Sequence, residues 1–85
     1  MSALFQELNF EKSIVNGSTL LFHSGFYYKI TLVKGLNSYV LEVATSYDEA
    51  VKNRFEDGDV YPISLGEDEL INELRHDLLK YYINM

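Results

Sequence analysis

Residues 18–45 read STLLFHSGFYYKITLVKGLNSYVLEVAT, and the periodicity of this stretch decides the fold class. Three strand-like runs, 18–23, 26–33 and 38–45, stand between short turn signals. In the second run Phe26, Tyr28, Ile30 and Leu32 share one face, while Tyr27, Lys29, Thr31 and Val33 share the other. That period of two is what a pleated strand imposes. In the third run Tyr39, Leu41 and Val43 lie opposite Val40, Glu42 and Ala44. Ser24-Gly25 and Lys34-Gly35-Leu36-Asn37 separate the runs by only a few residues. Parallel pairing needs a crossover of about a dozen residues or more, so the connections predict antiparallel hairpins.

Upstream, Leu4, Phe5 and Leu8 fall on one helical face, and the spacing predicts a short amphipathic helix over 2–12, followed by a stop or turn at Asn16-Gly17. Downstream, Ser46-Tyr47-Asp48-Glu49 has the form of a capping box, in which the serine caps the helix and the glutamate reaches back. Tyr47, Ala50, Val51 and Phe55 continue as an apolar stripe, and Asp48 and Lys52 form an i, i+4 pair. Residues 60–64 read as extended. Pro62 lacks an amide donor, which confines them to an edge strand or a linker. Glu67-Asp68-Glu69 opens a last helix with negative charge at its positive dipole end. Leu70, Ile71, Leu74 and Leu78 give that helix a 3.6-residue stripe up to about residue 83. The expected fold is a small two-layer α+β domain over 1–85. It has a short N-terminal helix, an antiparallel three- to four-stranded meander and two C-terminal helices packed on one face.

Chemistry is limited by what is missing. The 85 residues include no cysteine, which excludes a disulfide framework, a thiolate metal site and a cysteine nucleophile. Glycines 17, 25, 35, 58 and 66 are scattered singly, so no phosphate-cradling loop exists. His23 and His76 have no partner at helical or strand spacing, and no Gly-x-Ser-x-Gly elbow is present. A calcium loop started at Asp57 would place Tyr61 at its fifth position and Pro62 where the turn glycine belongs, so it fails. No enzyme activity, cofactor or metal site is expected. The N-terminal residues lack a basic segment followed by an apolar core, and no apolar run approaches the ~20 residues of a membrane span. The expected location is cytoplasmic.

The informative signal is charge. Seven Lys and Arg against 13 Asp and Glu give a formal net charge of −6. Residues 1–45 are balanced, with Glu7, Glu11 and Glu42 against Lys12, Lys29 and Lys34. The whole excess lies in residues 46–85, where six carboxylates, Glu56, Asp57, Asp59, Glu67, Asp68 and Glu69, follow one another without a base. Such a surface does not neutralise phosphates, so nucleic acid is not the expected partner. It suits capture of a basic protein surface, because carboxylates steer encounter with a positive cleft. Those six acids and Tyr61 are the candidate partner-binding residues. The acids supply steering and charge pairing, and Tyr61 supplies contact area.

The run Ser46-Tyr47-Asp48-Glu49-Ala50, Arg54-Phe55-Glu56-Asp57-Gly58-Asp59-Val60-Tyr61-Pro62 and Gly66-Glu67-Asp68-Glu69-Leu70-Ile71 resembles the small acidic immunity proteins of bacterial polymorphic-toxin systems. The resemblance covers the C-terminal half. It implies a cytoplasmic protein that binds and neutralises one cognate toxin domain, and it carries over no catalytic residue. The helix–meander–helix order and acidity also resemble small phage inhibitors that mimic DNA, such as anti-CRISPR proteins. The alternative from another class is a structural module that pairs its sheet and helix faces into a homodimer, with the acids serving only solubility.

Overall fold

The computed structural model describes residues 2–82. Helix α1 (Ser2–Glu7) leads into strands β1 (Glu11–Val15), β2 (Ser18–His23), β3 (Phe26–Val33) and β4 (Ser38–Ala44), with a 3-10 turn at Lys34–Leu36. Helix α2 (Tyr47–Val51) separates β4 from β5 (Glu56–Pro62). A second 3-10 turn, Ile63–Leu65, then leads to α3 (Glu67–Asp77), which continues as a π-helical turn over Leu78–Tyr82. The five strands form one antiparallel sheet in the order β1-β2-β3-β4-β5. The α+β class, the short N-terminal helix and the antiparallel meander are as the sequence predicts, but the sheet has five strands where three or four were expected.

The first helix is shorter than the periodicity suggests, and the strand β1 takes its place. Asn9 adopts φ 64° and ends α1. Asn16 (φ 51°) and Gly17 (φ 80°) then form the two-residue link between Val15 and Ser18, which pair directly. Two successive positive φ values define the turn that matches strand twist, and Asn-Gly is its preferred pair. The turn the sequence marks at Asn16-Gly17 is therefore a hairpin, and its first strand was hidden because EKSIV buries only Val15.

The two faces of the sheet carry separate cores. One contains Leu4 and Phe5 of α1, Tyr28, Leu41, Val43 and Tyr61 of the sheet, and Leu70, Leu74 and Leu78 of the last helix. The other contains Val15, Leu20, Tyr27 and Ala44, closed by Ala50 of α2. The expectation that both C-terminal helices share a face is thus corrected: α2 and α3 lie on opposite sides. Adjacent Tyr27 and Tyr28 are both buried, on opposite faces. β3 therefore buries one tyrosine on each face, and a helical stripe alone does not state which face it will cover.

The stripe expected along α2 is cut short, because the helix stops at Val51, Asn53 takes φ 57° and leaves Phe55 outside it, and Tyr47 stays exposed. Other local signals hold. The Ser46 hydroxyl accepts from the Glu49 amide at 3.1 Å, capping α2, and Asp48 pairs with Lys52 at 3.0 Å. Arg75 clamps Glu7 with two nitrogens, at 3.1 and 3.3 Å, tying α3 to α1. Leu70, Leu74 and Leu78 bury the expected stripe, and residue 83, where that stripe was expected to end, lies outside the described residues. No described helix is long and apolar enough to cross a membrane.

Candidate functional site: an acidic sheet edge

β5 is the outer strand of the sheet, paired only with β4. Its register runs Val43↔Glu56, Glu42↔Asp57, then Val40↔Val60, so Gly58 and Asp59 together stand opposite Leu41. Two residues against one is a β-bulge, which bends and twists the edge. A Cβ at Gly58 would displace the Tyr82 Oη and lie 3.2 Å from the Leu41 carbonyl oxygen, so the glycine lets Tyr82 close over the bulge.

The bulge distributes the carboxylates around the edge. Glu56 and Asp57 are exposed on opposite faces, and Asp59 is half-buried, accepting from the Tyr82 hydroxyl at 3.3 Å. Asp57 lies directly across from Glu42, a like-charge pair that weakens a sheet. The base able to relieve it is turned away. Lys29 is Glu42's neighbour on β3, yet its ammonium donates to Asn53 Oδ1 at 3.2 Å and stands 4.2 Å over the Phe55 ring. Glu42 instead accepts from the Thr31 hydroxyl at 2.6 Å. The two ion pairs among the described residues, Asp48–Lys52 and Glu7–Arg75, use none of these acids.

Glu67, Asp68 and Glu69 occupy a different place. Asp77 meets Tyr61 and Tyr82 meets Asp59, so the C-terminal end of α3 lies over β5. Its N-terminal turn lies ten residues back from Asp77, roughly 15 Å along the axis at 1.5 Å per residue. The six acids that are continuous in sequence are therefore two groups in space. The second group also has a local explanation: the α3 N-cap is Gly66, which makes no side-chain cap, and acids in the first turn complement the helix dipole. No such role accounts for Glu42, Glu56 and Asp57.

Tyr61 belongs to the core. It is 3% exposed and its hydroxyl donates to Asp77 Oδ2 at 2.8 Å, so its contact area is already buried within the protein. Burial, then the Asp77 hydrogen bond and the nearby carboxylates, push its phenol far above the usual tyrosine range. The Tyr82 phenol rises to about 12, mainly by burial and then by the charge of Asp59. Burial also raises Tyr28. Glu42 was missed in the sequence because it stands 14 residues before Glu56; only strand pairing brings it beside Asp57. Among the described residues no group of three or more His, Asp or Glu could hold a metal ion.

No protein-family model, curated protein or solved structure matches this chain.

Proposed function

We propose that this chain is a non-enzymatic binding protein whose acidic β5 edge captures a basic surface of a protein partner, and that the partner is the toxic domain of a cognate bacterial toxin. The observation that carries this reading is the Glu42–Asp57 pair, without a base between β4 and the outer strand β5, with Glu56 next to it on the other face of β5. Like charges opposite each other cost stability, and the fold diverts Lys29 rather than pairing it with them. A base from a partner removes that repulsion on docking. At long range the same carboxylates raise the encounter rate with a positive cleft. If that cleft binds phosphates, the carboxylates occupy the positions of the substrate charges and block access.

Tyr61 takes no part in this interface. The contact centres on Glu42, Glu56, Asp57 and Asp59, with Glu67, Asp68 and Glu69 as a second, steering group. The test is co-purification of the tagged chain from its native host, followed by association kinetics on the captured protein. The expected result is a basic protein whose association slows at least about tenfold between about 50 and 500 mM salt. Asp57→Asn with Glu56→Gln slows it further, while Tyr61→Phe leaves the rate unchanged. Capture of a second copy of this chain, or a rate indifferent to salt and to both neutralising substitutions, overturns the reading.

A further inference from the structure

The β1–β2 hairpin diverges from β3 part-way along that strand. β2 pairs β3 only at Leu21↔Tyr28, Phe22↔Tyr27 and His23↔Phe26. β3 continues pairing with β4 as far as Val33. Over residues 29–33, then, β3 has a strand on one side only among the described residues. Peptide groups along a strand point alternately to its two sides, so this segment presents an open run of donors and acceptors inside the sheet.

The departure has a physical cause. Val15 and Leu20 turn toward α2 and bury themselves against Ala50, and the Asn16 side chain donates to the Val51 carbonyl at 2.7 Å. Packing on α2 replaces ladder hydrogen bonds with β3. On the opposite face the diverging strands and α1 leave a groove of about 340 Å³. Phe5, Phe10, Leu21, Tyr28 and Ile30 form its apolar walls. The charged residues that line it are Lys12 and Lys29, with no carboxylate, although the chain holds 13 acids and 7 bases. Lys29 commits its ammonium to Asn53 and Phe55, which leaves the exposed Lys12 as the free charge beside the groove.

We propose that this cleft takes an extended peptide segment of a partner protein, added as a strand beside residues 29–33, with an apolar side chain in the groove and a carboxylate at Lys12. A strand is the ligand whose backbone answers an open ladder, and alternate side chains then supply specificity. The groove lies at the lower end of the ~300–1,000 Å³ range of ligand pockets, a size that suits side chains anchored by a backbone. The outer edges are less receptive. β5 carries Glu56, Asp57, a bulge and Pro62, all of which discourage strand addition, and β1 spans only Glu11–Val15. β4 separates the cleft from the acidic β5 edge, so this inference does not rest on the function proposed above.

The test uses the full chain, amide-resolved magnetic resonance and a short synthetic peptide alternating valine with glutamate. Binding is expected to shift the amides of residues 29–33 and slow their hydrogen exchange. The same peptide methylated on alternate backbone nitrogens is expected to bind at least about tenfold more weakly. Lys12→Glu, at an exposed position, is expected to lower affinity about threefold or more and to reverse the preference toward a valine–lysine peptide. Shifts confined to β1 or β5, undiminished binding of the methylated peptide, or equal binding of the valine–lysine peptide to the unsubstituted chain overturns the proposal.

Discussion

Replacing Tyr61 with Phe removes one hydroxyl from a 3% exposed side chain and leaves its ring in place. The hydroxyl donates to Asp77 Oδ2 at 2.8 Å, joining β5 to the last turn of α3. Hydrogen bonds to a charged acceptor contribute about 1.5–3 kcal/mol. Asp77 is half-buried, so water reaches its carboxylate once the donor is gone, and the lower part of that range applies, about 1.5–2 kcal/mol. For a domain of this size each kcal/mol moves the melting midpoint by about 4–8 °C. Tyr61→Phe is therefore expected to lower Tm by about 6–16 °C in a thermal melt followed by circular dichroism. Asp77→Ala removes the acceptor and leaves a buried hydroxyl unpaired, which costs about 1–3 kcal/mol. If the bond is the cause, the double variant is less destabilised than the two losses added, with a coupling of about 1 kcal/mol or more. A coupling below about 0.3 kcal/mol, or a Tm shift under about 2 °C for Tyr61→Phe, refutes the reasoning.

Asp57→Asn relieves the repulsion with Glu42 and is expected to raise stability by about 0.2–1 kcal/mol in urea unfolding while weakening partner association; a loss of stability counts against the edge as described. Asn16→Ala loses both the bond to the Val51 carbonyl and a residue tolerant of φ 51°, and is expected to cost about 1–2 kcal/mol. Asn16→Gly keeps the backbone freedom and is expected to cost less; equal losses assign the whole effect to the hydrogen bond. Alkaline stability tests the buried phenols. Tyr28, Tyr61 and Tyr82 have folded pKa values above the unfolded value near 10, so their contribution is full below pH 10 and is lost as pH rises. Tyr61 alone is expected to account for about 1.4 kcal/mol per pH unit above 10. Urea midpoints between pH 9 and about 11.5 check this, and Tyr61→Phe is expected to flatten the decline.

Much of the fold is legible residue by residue. The alternation in FYYKITLV assigns Tyr27 and Tyr28 to different faces, as found in the two cores. The Ser46 cap, the Asp48–Lys52 pair and the Leu70, Leu74, Leu78 stripe depend on residues within one or two turns of each other. β1 was hidden because EKSIV is a sparse pattern next to a good helical one, and it becomes a strand by pairing with β2 across the Asn16-Gly17 turn. The candidate site was legible only as composition. Six acids without a base were visible, but not that α3 returns only its C-terminal end to β5, leaving Glu67, Asp68 and Glu69 apart from Glu56 and Asp57. Nor was it visible that Tyr61 would turn inward to Asp77, since aromatic residues suit an interface and a core alike.

The sequence by itself determined β2, β3, β4 and the last helix, the antiparallel sense of the meander and the location of the net −6 in the second half of the chain. Those properties come from period, capping and turn chemistry, which act between near neighbours. The tertiary structure alone decided that α2 and α3 take opposite faces, that Glu42 meets Asp57 and that the β1–β2 hairpin diverges from β3 beyond Tyr28 and packs on α2. The physical reason is that the sheet buries apolar residues on both faces, Tyr28, Leu41 and Val43 on one and Val15, Leu20, Tyr27 and Ala44 on the other. A helical stripe states that it will be buried but not on which face, and only the competition of whole elements for two apolar surfaces settles the choice.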